Sequence, residues 1–457
     1  MDLINDTIAA ISTAIGEAGL AVVRMSGRDA LRIGDACFRP AGKSMPPTQA
    51  QSHTVHYGHI VRRGEIVDEV LLTVLRKPRT YTREDMLEIS CHGGSLPARL
   101  ILETVIENGA RLAQPGEFTK RAFLNGRIDL TQAEAVIDII NSRTELAMKV
   151  AQNQLSGRLS TQIEEVRNKL MHTLAHIEAH IDFPDEDIEP DTQEKLSVRM
   201  NESIVFIDEL LKTAEEGRII RQGVKIAIIG KPNSGKSSLL NRLLNYERAI
   251  VSPVPGTTRD TIEETANIGG LPVVFIDTAG LRSSMDFVEA EGIRRTKTAI
   301  EQAELILLIL DGSEPFRDDY KENLNLISDK KAIIVINKID LPIKLELPKS
   351  LNKPIVNVSC ITGEGIDSLK HLIKDVSLSG KHTLETTPVA INLRHKEALI
   401  RARKSLENAL SALIGGESLE FVALDLRIAV NAIGEITGHT ATEDLLDIIF
   451  SQFCIGK

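Results

Sequence analysis

The 457-residue chain has no tryptophan, and aromatic residues make up only 3% of it. Platforms for stacking single-stranded bases are therefore scarce. Cysteine is also sparse. Cys37, Cys91, Cys360 and Cys454 lie far apart with no Cys-x-x-Cys spacing. That pattern excludes a disulfide framework and a cysteine zinc site, and it fits a reducing, cytoplasmic setting. The longest apolar run, around Leu305–Leu310, falls far short of the roughly 20 residues a membrane span needs, so no membrane association is expected. The opening Met-Asp-Leu-Ile-Asn-Asp is too acidic for a signal or transit peptide. Positive charge is in deficit: 54 Lys and Arg face 64 Asp and Glu, a formal net charge of −10. A general nucleic-acid binder is disfavoured, although a local basic patch remains open.

The chain does hold an ordered series of phosphate-binding signals. Lys225–Ile229 is a β-branched run typical of a buried parallel strand, and Gly230-Lys-Pro-Asn-Ser-Gly-Lys-Ser237 follows it. Apolar residues at helical spacing come next, so the loop has the strand and helix it requires. Gly230 and Gly235 allow a tight turn that aims backbone N–H groups at phosphate oxygens, and the helix N-terminus favours an anion. Lys236 is placed to reach the β- and γ-phosphates, and the Ser237 hydroxyl to ligate magnesium. The expected nucleotide contacts in this loop are Asn233, Ser234, Gly235, Lys236, Ser237 and Ser238.

A second strand run, Val273–Ile276, ends in Asp277-Thr278-Ala279-Gly280. Its acid can hold the magnesium shell, and the Gly280 N–H can meet the γ-phosphate. Between the two lies Ser252-Pro253-Val254-Pro255-Gly256-Thr257-Thr258, where Thr258 can close over the metal. A third strand run, Ala332–Ile336, leads into Asn337-Lys338-Ile339-Asp340. The Asp340 carboxylate can accept from both N1–H and the exocyclic amine of guanine. Adenine lacks that donor pair, so the base is expected to be guanine, as GTP or GDP. Val356–Ile361 loosely matches a further guanine-binding element, with Ser359-Cys360-Ile361 in place of Ser-Ala-Lys.

One position breaks the pattern. Ras-type switches carry a glutamine after Asp-x-x-Gly to orient the attacking water. Here Leu281 stands there, and its aliphatic side chain cannot do so. Either the chain hydrolyses GTP slowly, as a timer, or catalytic groups come from elsewhere. The candidates are Asn233, whose amide oxygen can hold a monovalent cation beside the phosphates, and Glu289, which can position water.

A chain of this length is expected to hold about three domains. Residues 1–122 are strand-rich with a helical pattern over Leu96–Asn108, an α/β domain. Residues 123–217 change to long helical periodicity. Residues 218–378 carry the nucleotide signals, and residues 379–457 return to helix, so the nucleotide domain is inserted between two helical segments. His172, His176 and His180 share one helix face, read as a polar stripe.

Together with Gly256–Asp260 and this insertion, four further segments carry a family resemblance: Asp85–Gly94, Pro115–Gly126, Asp129–Ala135 and the terminal Phe-Cys-Ile-Gly-Lys457. Over its whole length the chain resembles the TrmE (MnmE) family of tRNA modification GTPases, potassium-dependent and Era-like. The resemblance implies an N-terminal tetrahydrofolate-binding-like domain that also forms a homodimer, an all-α helical bundle, and a Ras-like P-loop G domain inserted into that bundle. It implies that, in a heterotetramer with the FAD-dependent subunit MnmG, the chain helps place a carboxymethylaminomethyl group on C5 of the wobble uridine of certain tRNAs. The one-carbon unit would come from 5-formyl- or methylene-tetrahydrofolate. Potassium is implied at Asn233, Ser252, Val254 and Thr257, magnesium at Ser237 and Thr258, water positioning at Glu289, and folate contacts at Arg24, Glu88, Arg127 and Lys457. Ser252 stands where threonine is common, and Arg127 where lysine also occurs; oxygen and charge are kept. Cys454, near the implied folate site, is a candidate for the modification chemistry. From the nucleotide motifs alone, a regulatory GTP switch in ribosome assembly or signalling is the competing reading.

Overall fold

The computed structural model describes residues 6–14, 16–182, 192–247, 264–276, 297–316, 318–348, 351–378 and 391–457. They divide into two compact units. One comprises Met1–Ile137, Ser160–Asn168 and Val430–Lys457, and the other Asp138–Leu159 and Lys169–Ala429.

The first unit is built on a seven-stranded sheet. Its strands are β1 (Ile8–Ile11), β2 (Leu20–Ser26), β3 (Phe38–Pro40), β4 (Thr54–Arg62), β5 (Glu65–Leu75), β6 (Met86–His92) and β7 (Arg111–Leu112), in the spatial order β3-β4-β5-β6-β2-β1-β7. Alternation drives burial. Ala21, Val23 and Met25 point from β2 into a core with Ile33 and Ile101, contributed by the helices Ala30–Cys37 and Ser95–Glu107. The second helix lies one residue from its expected range. On the opposite face Ile8, Ala10 and Met86 pack on Phe118, from the Glu117–Leu124 helix. The intervening residues of β2 and β6, among them Arg24 and Glu88, stand directly paired across the two strands.

The second unit holds a six-stranded sheet of β8 (Val224–Gly230), β9 (Glu264–Ile268), β10 (Leu271–Ile276), β11 (Leu305–Asp311), β12 (Ala332–Asn337) and β13 (Ile355–Asn357). Its order is β13-β12-β11-β8-β10-β9, parallel except for the β9–β10 pair. Every residue of β10 and β11 is buried, as apolar runs without alternation require of a sheet covered on both faces. One covering layer comes from the helices Lys236–Glu247 and Ile366–Ser377, through Leu239, Leu243, Leu369 and Ile373. The other includes Tyr320 and Ile327.

The helical part of this unit pairs segments from both sides of the sheet. The helix Gln193–Gln222 packs along Leu393–Ile414, with Arg403 Nε 2.6 Å from Asp208 Oδ1 and Gln193 donating to the Leu413 carbonyl at 2.7 Å. The first of these helices does not stop near the expected boundary at 217. Gly217 is buried inside it, and the helix ends at Gly223, whose φ of 84° an L side chain rarely adopts. On the Arg158–Asp182 helix, the rings of His176 and His180 stand edge to face, 5.1 Å apart. Among the described residues no helix is long and apolar enough to cross a membrane.

Candidate functional site

The nucleotide loop sits at the carboxyl end of β8, which β10 flanks on one side and β11 on the other. Such a reversal of strand order opens a crevice at the strand ends. The loop is pressed into the sheet's edge by two glycines. A Cβ on Gly230 would lie 2.5 Å from the Ile309 carbonyl oxygen, and one on Gly235 only 2.1 Å from Asn337 Nδ2. Gly235 has φ 103°, and Asn233 also lies in the left-handed region, at φ 63°. Asparagine tolerates that conformation better than most residues, and the side chain of Asn233 stands exposed. The helix starts at Lys236, so Ser237 and Ser238 occupy its first turn.

Lys236 Nζ donates to the carbonyls of Gly230 at 2.9 Å and Lys231 at 2.6 Å, folding the ammonium over the loop, and burial pushes its pKa down. Asn337 ties three segments together. Its Nδ2 donates to the Ser234 carbonyl at 2.9 Å, and its Oδ1 accepts from the Cys360 N–H at 3.1 Å. Asp340 accepts from the Ser359 hydroxyl at 2.6 Å, and that hydroxyl accepts from the Thr362 N–H at 3.1 Å. Lys338, at φ 68°, places its ammonium 2.5 Å from Asp311 Oδ2. Burial alone would raise the Asp311 carboxyl; hydrogen bonds from Lys338 and Ser313 outweigh that and hold it below the usual carboxylate range.

The structure therefore brings the loop residues Asn233–Ser238 to Asn337, Lys338, Asp340 and the Ser359–Ile361 turn. The other expected contacts lie outside the described residues: Ser252, Pro253, Val254, Pro255, Gly256, Thr257 and Thr258, then Asp277, Thr278, Ala279 and Gly280, with Leu281 and Glu289. A contact that sequence reading did not anticipate is Lys231, whose ammonium stands 3.8 Å above the centre of the buried Tyr320 ring.

A second constellation lies in the other unit. Arg24 donates from Nε to Glu88 Oε1 at 2.9 Å. Its guanidinium stands 5.7 Å from the centre of the Tyr81 ring and 5.8 Å from that of Phe118. Arg127 approaches the same Tyr81 ring, at 4.7 Å, and donates to the Tyr81 carbonyl at 3.0 Å. The Tyr81 hydroxyl is 2.9 Å from Thr119 Oγ1. The carboxyl-terminal strap reaches this place too. The Phe118 N–H donates to the main-chain oxygen of Lys457 at 3.1 Å, and Gly116 N–H to the Cys454 carbonyl at 3.3 Å. Gly456 (φ 94°) lies so close to β1 that a Cβ would sit 2.5 Å from the Ile11 carbonyl. Cys454 is exposed. Arg24, Glu88, Arg127 and Lys457, distant in sequence, are thus linked through Tyr81 and Phe118.

Beneath them lies a charge network that sequence reading missed. Arg121, only 3% exposed, reaches Asp6 at 2.5 Å, Glu117 at 3.0 Å and Glu84 at 3.2 Å. Arg111 adds contacts to Asp6 at 2.7 Å and Glu117 at 2.6 Å. Glu84 also accepts from the Ser26 hydroxyl at 2.7 Å, which anchors the loop bearing Tyr81. Only the i,i+4 pair Glu117–Arg121 was visible as spacing. Burial would raise the Asp6 and Glu117 carboxyls, but hydrogen bonds from Arg111 and Arg121 hold both below their ordinary values. Carboxyls depressed in the folded state add stability above their unfolded pKa, roughly 4, and lose it as pH falls through the folded value. Arg121→Ala strips Glu84 of its cation and leaves Asp6 and Glu117 only Arg111, and should cost about 3–5 kcal/mol at pH 7. The deficit should shrink as pH is lowered through 4. Denaturant unfolding at several pH values measures this, and a midpoint unchanged at pH 7 contradicts it.

Residues 7–127 match the family described as GTP-binding protein TrmE N-terminus, and residues 130–454 match the MnmE helical domain. A tRNA modification GTPase MnmE of Thermoanaerobacter pseudethanolicus is 49% identical over 461 residues, covering 100% of both chains. A protein of the same name from Geobacter metallireducens is 47% identical over 458 residues, 99% of this chain and 100% of the relative. Among solved structures, the G domain of the T. maritima FeoB iron transporter is 30% identical, with a TM-score of 0.27, over 34% of this chain and 98% of that one.

Proposed function

Because the chain belongs to the MnmE family of tRNA modification GTPases, we propose that its GTP turnover drives carboxymethylaminomethylation of the wobble uridine at C5, together with the FAD-dependent partner MnmG. The chain itself is a GTPase of tRNA modification. The finer reading is a cytoplasmic homodimer that joins MnmG in a heterotetramer and draws its one-carbon unit from 5-formyl- or methylene-tetrahydrofolate. The observation that carries it is the bond from Phe118 N–H to the main-chain oxygen of Lys457. It sets the chain's last residue beside the Arg24 cluster, in a protein that also holds a nucleotide loop.

The residues fit a folate in chemical terms. Cationic Arg24, Arg127 and Lys457 suit a carboxylate tail. Glu88 Oε2 has no hydrogen bond from a described residue and can accept from pterin N–H groups, while Tyr81 offers an aromatic surface. Bound folate would supply the carbon; Arg24, Arg127 and Lys457 would orient it, and Glu88 would fix the ring. Cys454 is proposed to take part near that carbon, and Cys454→Ser with full modification would exclude it.

At the nucleotide loop, Lys236 would exchange its carbonyl partners for phosphate oxygens, and Asp340 would accept from guanine. Ser237 and Thr258 fit magnesium, which would neutralise charge on the phosphates. Asn233, exposed and held at positive φ, fits potassium together with Ser252, Val254 and Thr257. Glu289 would position water in place of Leu281. GTP would favour pairing of two G domains, and phosphate loss would release it.

Two results test this reading. GTP hydrolysis should run at least about tenfold faster in potassium than in sodium, as expected when a fixed cation supplies transition-state charge; equal rates reject the role of Asn233. Nucleoside mass spectrometry of tRNA from a deletion strain should show loss of the modified wobble uridine, and an unchanged profile rejects the modification itself.

A further inference from the structure

A cleft of about 430 Å³ opens beside Tyr81, within the size range of ligand sites. Arg79, Arg83, Arg127 and His53 line it, and no aspartate or glutamate does. In a chain of net charge −10 this is a marked local reversal. The neighbouring acids are turned elsewhere. Glu84 is held by Ser26 at 2.7 Å and by Arg121 at 3.2 Å, and Asp85 accepts from the Lys77 N–H at 3.0 Å.

The cations are largely unspent. Arg79 makes no hydrogen bond or ion pair with a described residue. Arg83 donates to the Asn125 carbonyl at 2.9 Å and Arg127 to that of Tyr81 at 3.0 Å, each keeping most of its five donors. Both His53 (φ 62°) and Arg83 (φ 61°) sit in the left-handed region without being glycine. Backbone of that kind costs about 1–3 kcal/mol where it occurs and gathers at ligand clamps. Convergent guanidinium groups without a counter-charge call for an anion, and their planar forks match carboxylates bidentately.

The cleft is continuous with the Arg24 constellation. Arg127 lines it and also lies 4.7 Å over the Tyr81 ring, whose centre is 5.7 Å from the Arg24 guanidinium. A ligand whose ring system is held by Glu88 would send its tail past Arg24, Tyr81 and Arg127 into the cleft.

We propose that this cleft is a subsite for the γ-linked oligoglutamate tail of a folate, with Arg79 and Arg83 binding carboxylates beyond the first glutamate. This rests on the folate reading above. It makes the chain selective for polyglutamylated folate over the monoglutamate.

The test is calorimetric titration of the full-length chain with 5-formyl-tetrahydrofolate carrying one or three glutamates. The triglutamate should bind about tenfold more tightly, the gain from two charge-assisted pairs at a partly exposed site. In the Arg79→Gln, Arg83→Gln double variant that ratio should fall to about one. Arg79→Gln alone, at a residue with no bond to the described protein, should remove about threefold and guards against misfolding of the double variant. A ratio near one in the wild type, or a tenfold ratio kept in both variants, overturns the proposal. So does a wild-type ratio near one accompanied by weakened tRNA binding in the double variant, which assigns the cleft to phosphate. Failure of the wild type to bind even the monoglutamate overturns the folate reading itself, and the subsite with it.

Discussion

Replacing Asp340 by asparagine is expected to weaken GTP binding by about 100- to 1,000-fold. On the proposed reading, both oxygens of the carboxylate face guanine donors, N1–H and the exocyclic amine. Hydrogen bonds to a charged group contribute roughly 1.5–3 kcal/mol each, and the asparagine amide sets an N–H₂ against one of those donors. The carboxylate is already oriented, because the Ser359 hydroxyl donates to its Oδ1 at 2.6 Å and Ser359 is itself buried. The same change should improve binding of xanthosine triphosphate, which carries a carbonyl where guanine has its amine. Competition against a fluorescent nucleotide measures both effects. Unaltered GTP affinity would mean that Asp340 does not read the base.

The second large effect is expected at Gly235. With φ 103° and a Cβ position 2.1 Å from Asn337 Nδ2, an alanine there meets strain and collision together. The backbone penalty is about 1–3 kcal/mol, and loss of the Asn337 bond to the Ser234 carbonyl leaves buried polar groups unsatisfied at about 1–3 kcal/mol more. Because Asn337 also accepts from the Cys360 N–H at 3.1 Å, the damage spreads from the phosphate loop to the base-binding turn. Gly235→Ala should lower GTP affinity more than about 100-fold. Serine at the exposed position 238, changed to alanine, should cost far less. Comparable losses in the two variants would contradict the tight packing of loop against β12.

These two sites show what sequence reading can reach. The phosphate loop is local: its strand, glycines and helix are contiguous, and periodicity alone places them on β8 and the Lys236–Glu247 helix. Unbroken apolar runs likewise announce the buried strands β10 and β11. The second role of Asn337 was not legible, since it depends on a 103-residue separation closing to 2.9 Å. Arg24 and Glu88 are 64 positions apart and meet only through the β2–β6 register. Without an aligned family, each is one charge among many. The network of Asp6, Glu84, Arg111, Glu117 and Arg121 was hidden for the same reason. Buried charges look like surface charges until their partners are known. The Gln193–Gln222 helix runs on through Gly217 and is capped by Gly223, with the strand residues from Val224 following at once.

On the proposed reading, one chain couples GTP turnover to folate-dependent modification of tRNA. The direct measurement uses the purified chain with its FAD-dependent partner, unmodified tRNA, GTP in potassium, and methylene-tetrahydrofolate labelled with carbon-13 at the one-carbon position. Mass spectrometry of the digested tRNA should find the label in the C5 substituent of the wobble uridine, and omission of GTP should abolish it. Modified uridine that forms without the label, or forms equally without GTP, would contradict the account.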